Sequence, residues 1–383
     1  MAQSWISTPR KRLMVAGLNA LARVARPWLA GQAGVVNDRA HIRRILVVEL
    51  WNIGDIVLTM PFLTQLRARF PRAEITLLGR PHARTLLEGT ELVDQFLETE
   101  LTWTDASLNF NPFAYDWREL RRVYRQLRHR NFDIAFQCRM HVREHFILAL
   151  SGAPRRVGYQ LGPGKGVLTD ALRADDSGRH KAADWLELLT PFGGQIEVEA
   201  ARLSVPTSER TRAKEYLARQ GVLAPDVVIG IHPGASVAEK RWPLDRFREV
   251  AESLSKRPGV RIVAFIEPGG YGESLSQVPG MIRAQVGLRE LMALIEQCDL
   301  LVCNDSGPMH LAGALGVPAV AVFAAGIDRL FAPFGEGHEV VSPEADPAPD
   351  CPVRREKHPL YRVRVPDVLA GVERGLQRIR PRL

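Results

Sequence analysis

Residues 44–55 read Arg44-Ile45-Leu46-Val47-Val48-Glu49-Leu50-Trp51-Asn52-Ile53-Gly54-Asp55. From Ile45 to Leu50 every residue but Glu49 is aliphatic. Such a run suits a strand buried on both faces, as strands of parallel sheets are. Gly54 then permits a tight turn and close backbone approach, and Asp55 opens a helical pattern that runs to about Phe70. Strand, short turn and helix form the first half of a βαβ unit.

Working outward, the alternation continues. Strand-like runs fall at Glu74–Leu78, Ile134–Gln137 and Arg156–Gly158, with helical patterns at Trp117–His129 and His141–Leu150. A second series begins at Val227–Ile231 and continues at Arg261–Phe265, Leu300–Cys303 and Ala319–Phe323. Helices fit between at Leu244–Lys256, Leu288–Cys298 and Met309–Leu315. The pattern predicts an α/β protein with two doubly wound domains facing each other across a cleft. Pro191, Gly193, Gly194, Pro206 and Pro225 mark the connection between the series. The expected division is a leader over 1–42, a first domain over 43–200, a linker over 201–225 and a second domain over 226–365. A last helix over 366–383 is expected to cross back onto the first domain.

Composition sets the outer limits. The chain has 383 residues, 46% hydrophobic and 25% charged, enough to bury sizeable cores. No apolar run approaches the ~20 residues that a membrane-spanning helix needs. Cys138, Cys298, Cys303 and Cys351 are scattered and form no C-x-x-C pair, which argues against a disulfide framework or a zinc site. The net charge of +8 is concentrated at the start. Arg10, Lys11, Arg12, Arg23, Arg26, Arg39, Arg43 and Arg44 face one acid, Asp38, within residues 1–44, and the body beyond is nearly neutral. A nucleic-acid partner would call for a basic stripe on the body, so none is expected.

The leader itself is amphipathic. On a helix, Met14, Leu18, Leu21, Ala25 and Trp28 share one face, and Arg12, Asn19, Arg23 and Arg26 lie nearly opposite. Residues 10–28 therefore fit the cytoplasmic surface of an anionic inner membrane. They equally fit a segment packed on the body, a disordered extension, or a signal peptide with its apolar run at Leu13–Ala22.

Ligands of doubly wound sheets bind in the loops after the strands, and three such loops carry chemistry. In Trp51–Asp55, Asn52 and Gly54 would lie near a ligand, and Asp55 fits both a helix cap and a general base. In His232–Pro243, the small residues Gly234, Ala235 and Ser236 would let phosphate oxygens approach the backbone, and Lys240 and Arg241 supply positive charge. In Asn304–His310, the free amides near Ser306, Gly307, Pro308, Met309 and His310 would form an anion site at a helix start, or an ordinary helix capped by Ser306. Glu273, after the strand ending at Phe265, fits a ribose-binding acid or a solvated loop carboxylate. The chain lacks G-x-x-x-x-G-K-[ST], a G-x-G-x-x-G after the first strand, Asp-x-Asp and G-x-S-x-G. These absences weigh against P-loop triphosphatases, dinucleotide oxidoreductases, metal-dependent diphosphate binding and serine hydrolases.

Three segments then resemble the heptosyltransferases of glycosyltransferase family nine. They are ILVVELWNIGDIVLTMPFLTQLRARFP at 45–71, IGIHPGASVAEKRWPLDRFREVAESL at 229–254 and LRELMALIEQCDLLVCNDSGPMHLAGALGVPAVAVF at 288–323. The resemblance implies a GT-B fold, two Rossmann-like domains around a cleft. It implies inverting transfer of a sugar, typically heptose from ADP-heptose, to the lipopolysaccharide inner core, with no metal or other cofactor, in the cytoplasm. By resemblance, Asp55 is the catalytic base and Lys240 contacts the donor phosphate. Asp305, Ser306, Gly307 and His310 hold the donor diphosphate, with His232, Gly234, Ser236 and Arg241 beside them and Glu273 at the ribose. An anionic glycolipid acceptor would meet Arg80, Arg139 and Arg143. The chain departs from the family in its long leader and in Trp51-Asn52, where small serines are common. Two other readings fit the motifs: a nucleotide-sugar epimerase-like enzyme of the same architecture, and a non-catalytic nucleotide-sugar-binding scaffold.

Overall fold

A computed structural model describes residues 17, 41–101, 116–139, 141–160, 166–173, 178–324, 326–343 and 359–379. Apart from Gly17, residues 10–28, which are expected to fit a membrane surface, lie outside the described residues, as do Cys351 and the side chain of Arg143. The chain divides into two compact units, one reaching Glu199 and the other starting at Ala200.

The first unit runs β1 (Arg44–Glu49), α1 (Ile53–Arg69), β2 (Glu74–Gly79), α2 (Pro81–Leu87), β3 (Gln95–Glu98), α3 (Trp117–Arg128), β4 (Ile134–Gln137), α4 (Val142–Ser151), β5 (Arg155–Tyr159), β6 (Asp170–Leu172) and α5 (Lys181–Leu186). Its six strands are all parallel, in the order β3-β2-β1-β4-β5-β6. Ile45, Leu46, Val47 and Val48 are fully buried, as a central parallel strand requires. Val48 pairs with Leu78 on one side and with Gln137 on the other. The chain thus leaves β1 in one direction and later returns to its other edge at β4. This is the topological switch point of the sheet, and the loops after β1 and β4 lie beside it.

The second unit repeats the plan. It contains α6 (Thr207–Arg219), β7 (Val227–His232), α7 (Leu244–Ser255), β8 (Val260–Phe265), β9 (Ile282–Ala284), α8 (Leu288–Glu296), β10 (Leu300–Asn304), α9 (Gly307–Ala314), β11 (Ala319–Val322), α10 (Asp328–Phe331), β12 (Glu339–Val341) and α11 (Val365–Ile379). The order is β12-β11-β10-β7-β8-β9, again all parallel. Its switch point lies between β7 and β10, where Cys303 pairs with His232.

The stretch 201–225 is part of the second unit. It contains α6, which packs on α8 and is tied to it by the Arg210–Glu296 and Arg289–Glu209 ion pairs. The last helix, α11, packs within the second unit. Val368 and Val372 are fully buried in the second unit's own core, and Gly371 and Gly375 bring the backbone against Val320 and Leu300.

Candidate functional site

In the first unit the loops at the switch point bring three carboxyls around one guanidinium. Asp55 occupies the third position of α1. Its Oδ2 accepts from the backbone N–H of Asn52 at 3.2 Å, which closes the helix start. Its Oδ1 accepts from Nη1 of Arg139, in the loop after β4, at 2.6 Å. The Arg139 guanidinium lies over the Trp51 ring, 4.2 Å from its centroid. The Trp51 indole N–H donates to Glu144 Oε1 at 2.6 Å, and the Gln137 amide donates to Glu144 Oε2 at 3.2 Å. The Trp51 backbone N–H donates to Glu49 Oε1 at 3.2 Å. Glu49 is 0% and Glu144 2% exposed. Burial is the main force on both. It pushes Glu144 up to about 7 and Glu49 well above the usual carboxylate range, with the Asp55 charge pushing in the same direction.

Arg80 caps α2 at the end of β2 and is half-buried. Two residues on, His82 meets the Trp51 carbonyl through Nε2 at 2.8 Å. Arg80 and Arg139 thus both belong to strand-end loops of the first unit. Asn52 is exposed and Gly54 buried.

In the second unit the switch point again carries a charged pair. Lys240 ends a short 3-10 turn, and its Nζ lies 2.6 Å from Asp305 Oδ2. The sequence places Lys240 there through its neighbours. Trp242 is fully buried against Phe247, with its indole N–H on the Val363 carbonyl at 2.9 Å. The Trp242 backbone N–H donates to Asn304 Oδ1 at 3.0 Å, and the Asn304 amide donates to the Pro233 carbonyl at 2.6 Å. Asn304 therefore ties the loop after β7 to the end of β10, and Lys240 is delivered beside Asp305.

Ser306 stands at the N-cap of α9, but its hydroxyl turns back to the Asn304 carbonyl at 3.2 Å and makes no cap bond. The Met309 N–H reaches the Ser306 carbonyl at 3.2 Å, so in the first turn the Gly307 N–H is the amide placed to meet an anion. Pro308 sits in that turn, where its missing N–H costs nothing. Met309 and His310 are buried behind it, and Gly307 is half-buried. His232, at the end of β7, is buried, and burial pulls its imidazole down to about 4, so it is neutral near pH 7. Ser236 is exposed. Arg241 donates to the Ala235 carbonyl and to Glu267, with its guanidinium 4.2 Å over the Tyr271 ring. A Cβ at Gly234 would overlap the Glu267 carboxylate, so any other residue there would have to displace that side chain. Glu273 lies apart from this group. It is exposed and forms a two-pronged pair with Arg283 at 2.7 and 2.8 Å.

A family model, glycosyltransferase family 9 (heptosyltransferase), matches residues 120–359. The chain belongs to glycosyltransferase family 9. Among curated relatives, it is 26% identical over 309 residues to lipopolysaccharide heptosyltransferase 2 of Salmonella typhimurium, covering 73% of this chain and 82% of that one. It is 24% identical over 296 residues to lipooligosaccharide heptosyltransferase 2 of Haemophilus influenzae, with the same coverage. Among solved structures, a family 9 glycosyltransferase from Veillonella parvula superposes with a TM-score of 0.73 at 25% identity, over 88% of this chain and 97% of that one. The Escherichia coli ADP-heptose lipopolysaccharide heptosyltransferase II gives 0.70 at 21% identity, over 88% and 99%. The fold is the two-unit GT-B architecture of these enzymes, and the protein is a glycosyltransferase.

Within this family 9 chain, Asp55, Asn52, Gly54 and Arg139 come together at one switch point. Lys240, Asp305, Ser306, Gly307 and His232 gather at the other. Sequence reasoning missed Glu49, Gln137 and Glu144 in the first unit, and Glu267 and Tyr271 in the second. Glu49 carried a signal, being the one acid inside a buried strand run. Glu144 and Gln137 carried none, because only the pairing of β1 with β4 brings them to Trp51. Among the described residues no group of three or more His, Cys, Asp or Glu side chains is placed to hold a metal ion. No described helix is long and apolar enough to cross a membrane.

Proposed function

We propose that this glycosyltransferase moves a sugar, heptose from ADP-heptose, onto an anionic glycolipid acceptor of the lipopolysaccharide-core type, with inversion and without a metal. The observation that carries the reading is the start of α9, without a side-chain cap, beside the Lys240–Asp305 pair at a switch point. The relatives named for heptosyl transfer to lipopolysaccharide support the choice of sugar and acceptor. A heptosyltransferase of Escherichia coli solved with ADP supports the choice of nucleotide.

In this reading the second unit binds the donor. The Gly307 amide and Lys240 take the diphosphate oxygens, and the charge that develops on the leaving group is met by fixed donors already in place. Lys240 exchanges part of its contact with Asp305 for phosphate. Asp305, Ser306, Gly307 and His310 line the diphosphate, and Glu267 joins Glu273 as an acid available to the ribose. In the first unit Asp55 takes the proton of the acceptor hydroxyl. The acceptor oxygen bonds to the anomeric carbon on the face opposite the diphosphate, and the bond from that carbon to the diphosphate oxygen breaks. Arg80 and the outer edge of Arg139 meet acidic groups of the acceptor.

Calorimetric titration with ADP, UDP, GDP and CDP, without added metal, tests the donor assignment. Selective ADP binding is the expected outcome. Selective binding of another nucleotide would overturn the heptose donor, and binding of none in a folded sample would overturn the α9 anion site.

A further inference from the structure

The first unit must keep three carboxyls apart with a single guanidinium. Around Trp51 the donors are divided without overlap. Glu144 takes the Trp51 indole N–H and the Gln137 amide, so both of its oxygens are occupied. Glu49 takes the Trp51 backbone N–H, and Thr59 Oγ1 stands 3.4 Å from its other oxygen. That leaves Nη1 of Arg139 to Asp55, while the guanidinium lies over the indole ring. Trp51 is fixed from its remaining sides by His82 at its carbonyl and by the edge of His141, 5.8 Å between ring centroids. One half-buried tryptophan thus contacts Glu49, His82, Arg139, His141 and Glu144 at once.

We infer that Trp51 and Glu144 are positioning residues for the transfer, holding Nη1 of Arg139 to Asp55 so that the carboxylate stays aimed from the start of α1. The inference rests on Asp55 being the base. The physical ground is the donor count. If the indole N–H is removed, Glu144 loses a partner at 2.6 Å, and the guanidinium lying over the same ring is a charged donor that can take its place. Arg139 would then be drawn from Asp55 toward Glu144. Burial favours this outcome, because an under-bonded carboxyl that is 2% exposed has no water to turn to. Trp51 therefore acts as a spacer as well as a platform. Its N–H satisfies the buried acid, and its face supports the cation that serves the other one.

The test uses the full chain in a steady-state transfer assay with ADP-heptose and a core-type acceptor. Trp51→Phe keeps the ring and removes the N–H, and Glu144→Leu removes the acid that anchors the indole N–H, so that the ring under the Arg139 guanidinium is no longer fixed. Each is expected to lower kcat on the order of tenfold while the donor KM stays within about twofold, because the donor site lies in the second unit. Glu144→Gln, which keeps an oxygen for the indole, is expected to retain most of the wild-type kcat. Combined with Arg139→Lys, Trp51→Phe should cost no more than Arg139→Lys alone, since both act through one contact. Losses that multiply, or that merely follow the folded fraction, would reduce both residues to packing and overturn the inference. So would wild-type kcat in folded Trp51→Phe and Glu144→Leu. Asp55→Asn separates the two readings. If Asp55→Asn is slow and the Trp51 and Glu144 variants are fast, positioning alone falls; if Asp55→Asn is itself fast, the base assignment falls and takes this inference with it.

Discussion

Asp55 and Lys240 each face an opposite charge before any ligand arrives, Arg139 in one case and Asp305 in the other. Both pairs are partly buried, so each side chain has its direction set in advance, which is the condition for fast chemistry on arrival. Asp55→Asn keeps the shape and removes the basic oxygen. It is expected to lower turnover about 10²-fold or more with ADP affinity unchanged by calorimetry; near-normal turnover would return Asp55 to the role of a helix cap. Lys240→Ala removes a cation from the diphosphate and leaves Asp305, 5% exposed, without it. ADP affinity is expected to fall about ten- to a hundredfold, and unchanged affinity would end the leaving-group role. Glu144 makes a prediction in pH. Its pKa is raised by burial to about 7, so between about 4.5 and 7 the folded chain keeps a proton that the unfolded chain releases. Stability from this group is therefore complete at low pH and lost as pH rises through that window. Glu144→Gln should flatten the fall in Tm between pH 5 and 8 relative to wild type, and parallel Tm curves would contradict the buried acid.

At the scale of elements, the long central pieces were legible and the margins were not. The apolar runs of β1, β4, β7 and β10 are buried on both faces and announce themselves. The strands that sequence reading missed are β3, β6, β9 and β12, which form the two edges of each sheet. They are three or four residues long and partly exposed, so they carry no continuous apolar run. An edge strand is chosen by the neighbour that pairs with it, not by its own composition. The helix α11 was legible as a helix but not as to its place. Its glycines decide that, because a Cβ at Gly375 would stand 2.8 Å from Leu300 Cδ1. Gly375→Val should lift α11 from β10 and cost about 1–3 kcal/mol, read as a lower urea midpoint for the second unit. An unchanged midpoint would show that the helix is held elsewhere.

At the scale of the molecule, the two units carry the same plan with different equipment: a carboxylate and arginine in the first, a lysine and an uncapped helix in the second. A ligand that binds only one unit stabilises only that unit's folded state. ADP at about a hundred times its Kd is expected to raise the second unit's calorimetric transition by about 2.7 kcal/mol and to leave the first in place. A shift confined to the first unit would reverse the donor assignment. The sequence by itself determined the α/β class, the two series of strands, and the three strand-end loops where charge and glycine collect. Periodicity and turn chemistry are local, and local signals survive in a linear reading. Only the tertiary structure decided which loops share a switch point, that Ser306 leaves α9 uncapped, that Glu273 pairs with Arg283 while Glu267 lies against Arg241, and that Trp51 stands among three carboxyls. The contacts that build the first unit's cluster join distant residues, Asp55 to Arg139 and Trp51 to Glu144, 84 and 93 positions apart. They follow from strand pairing and burial, which no single stretch of chain contains.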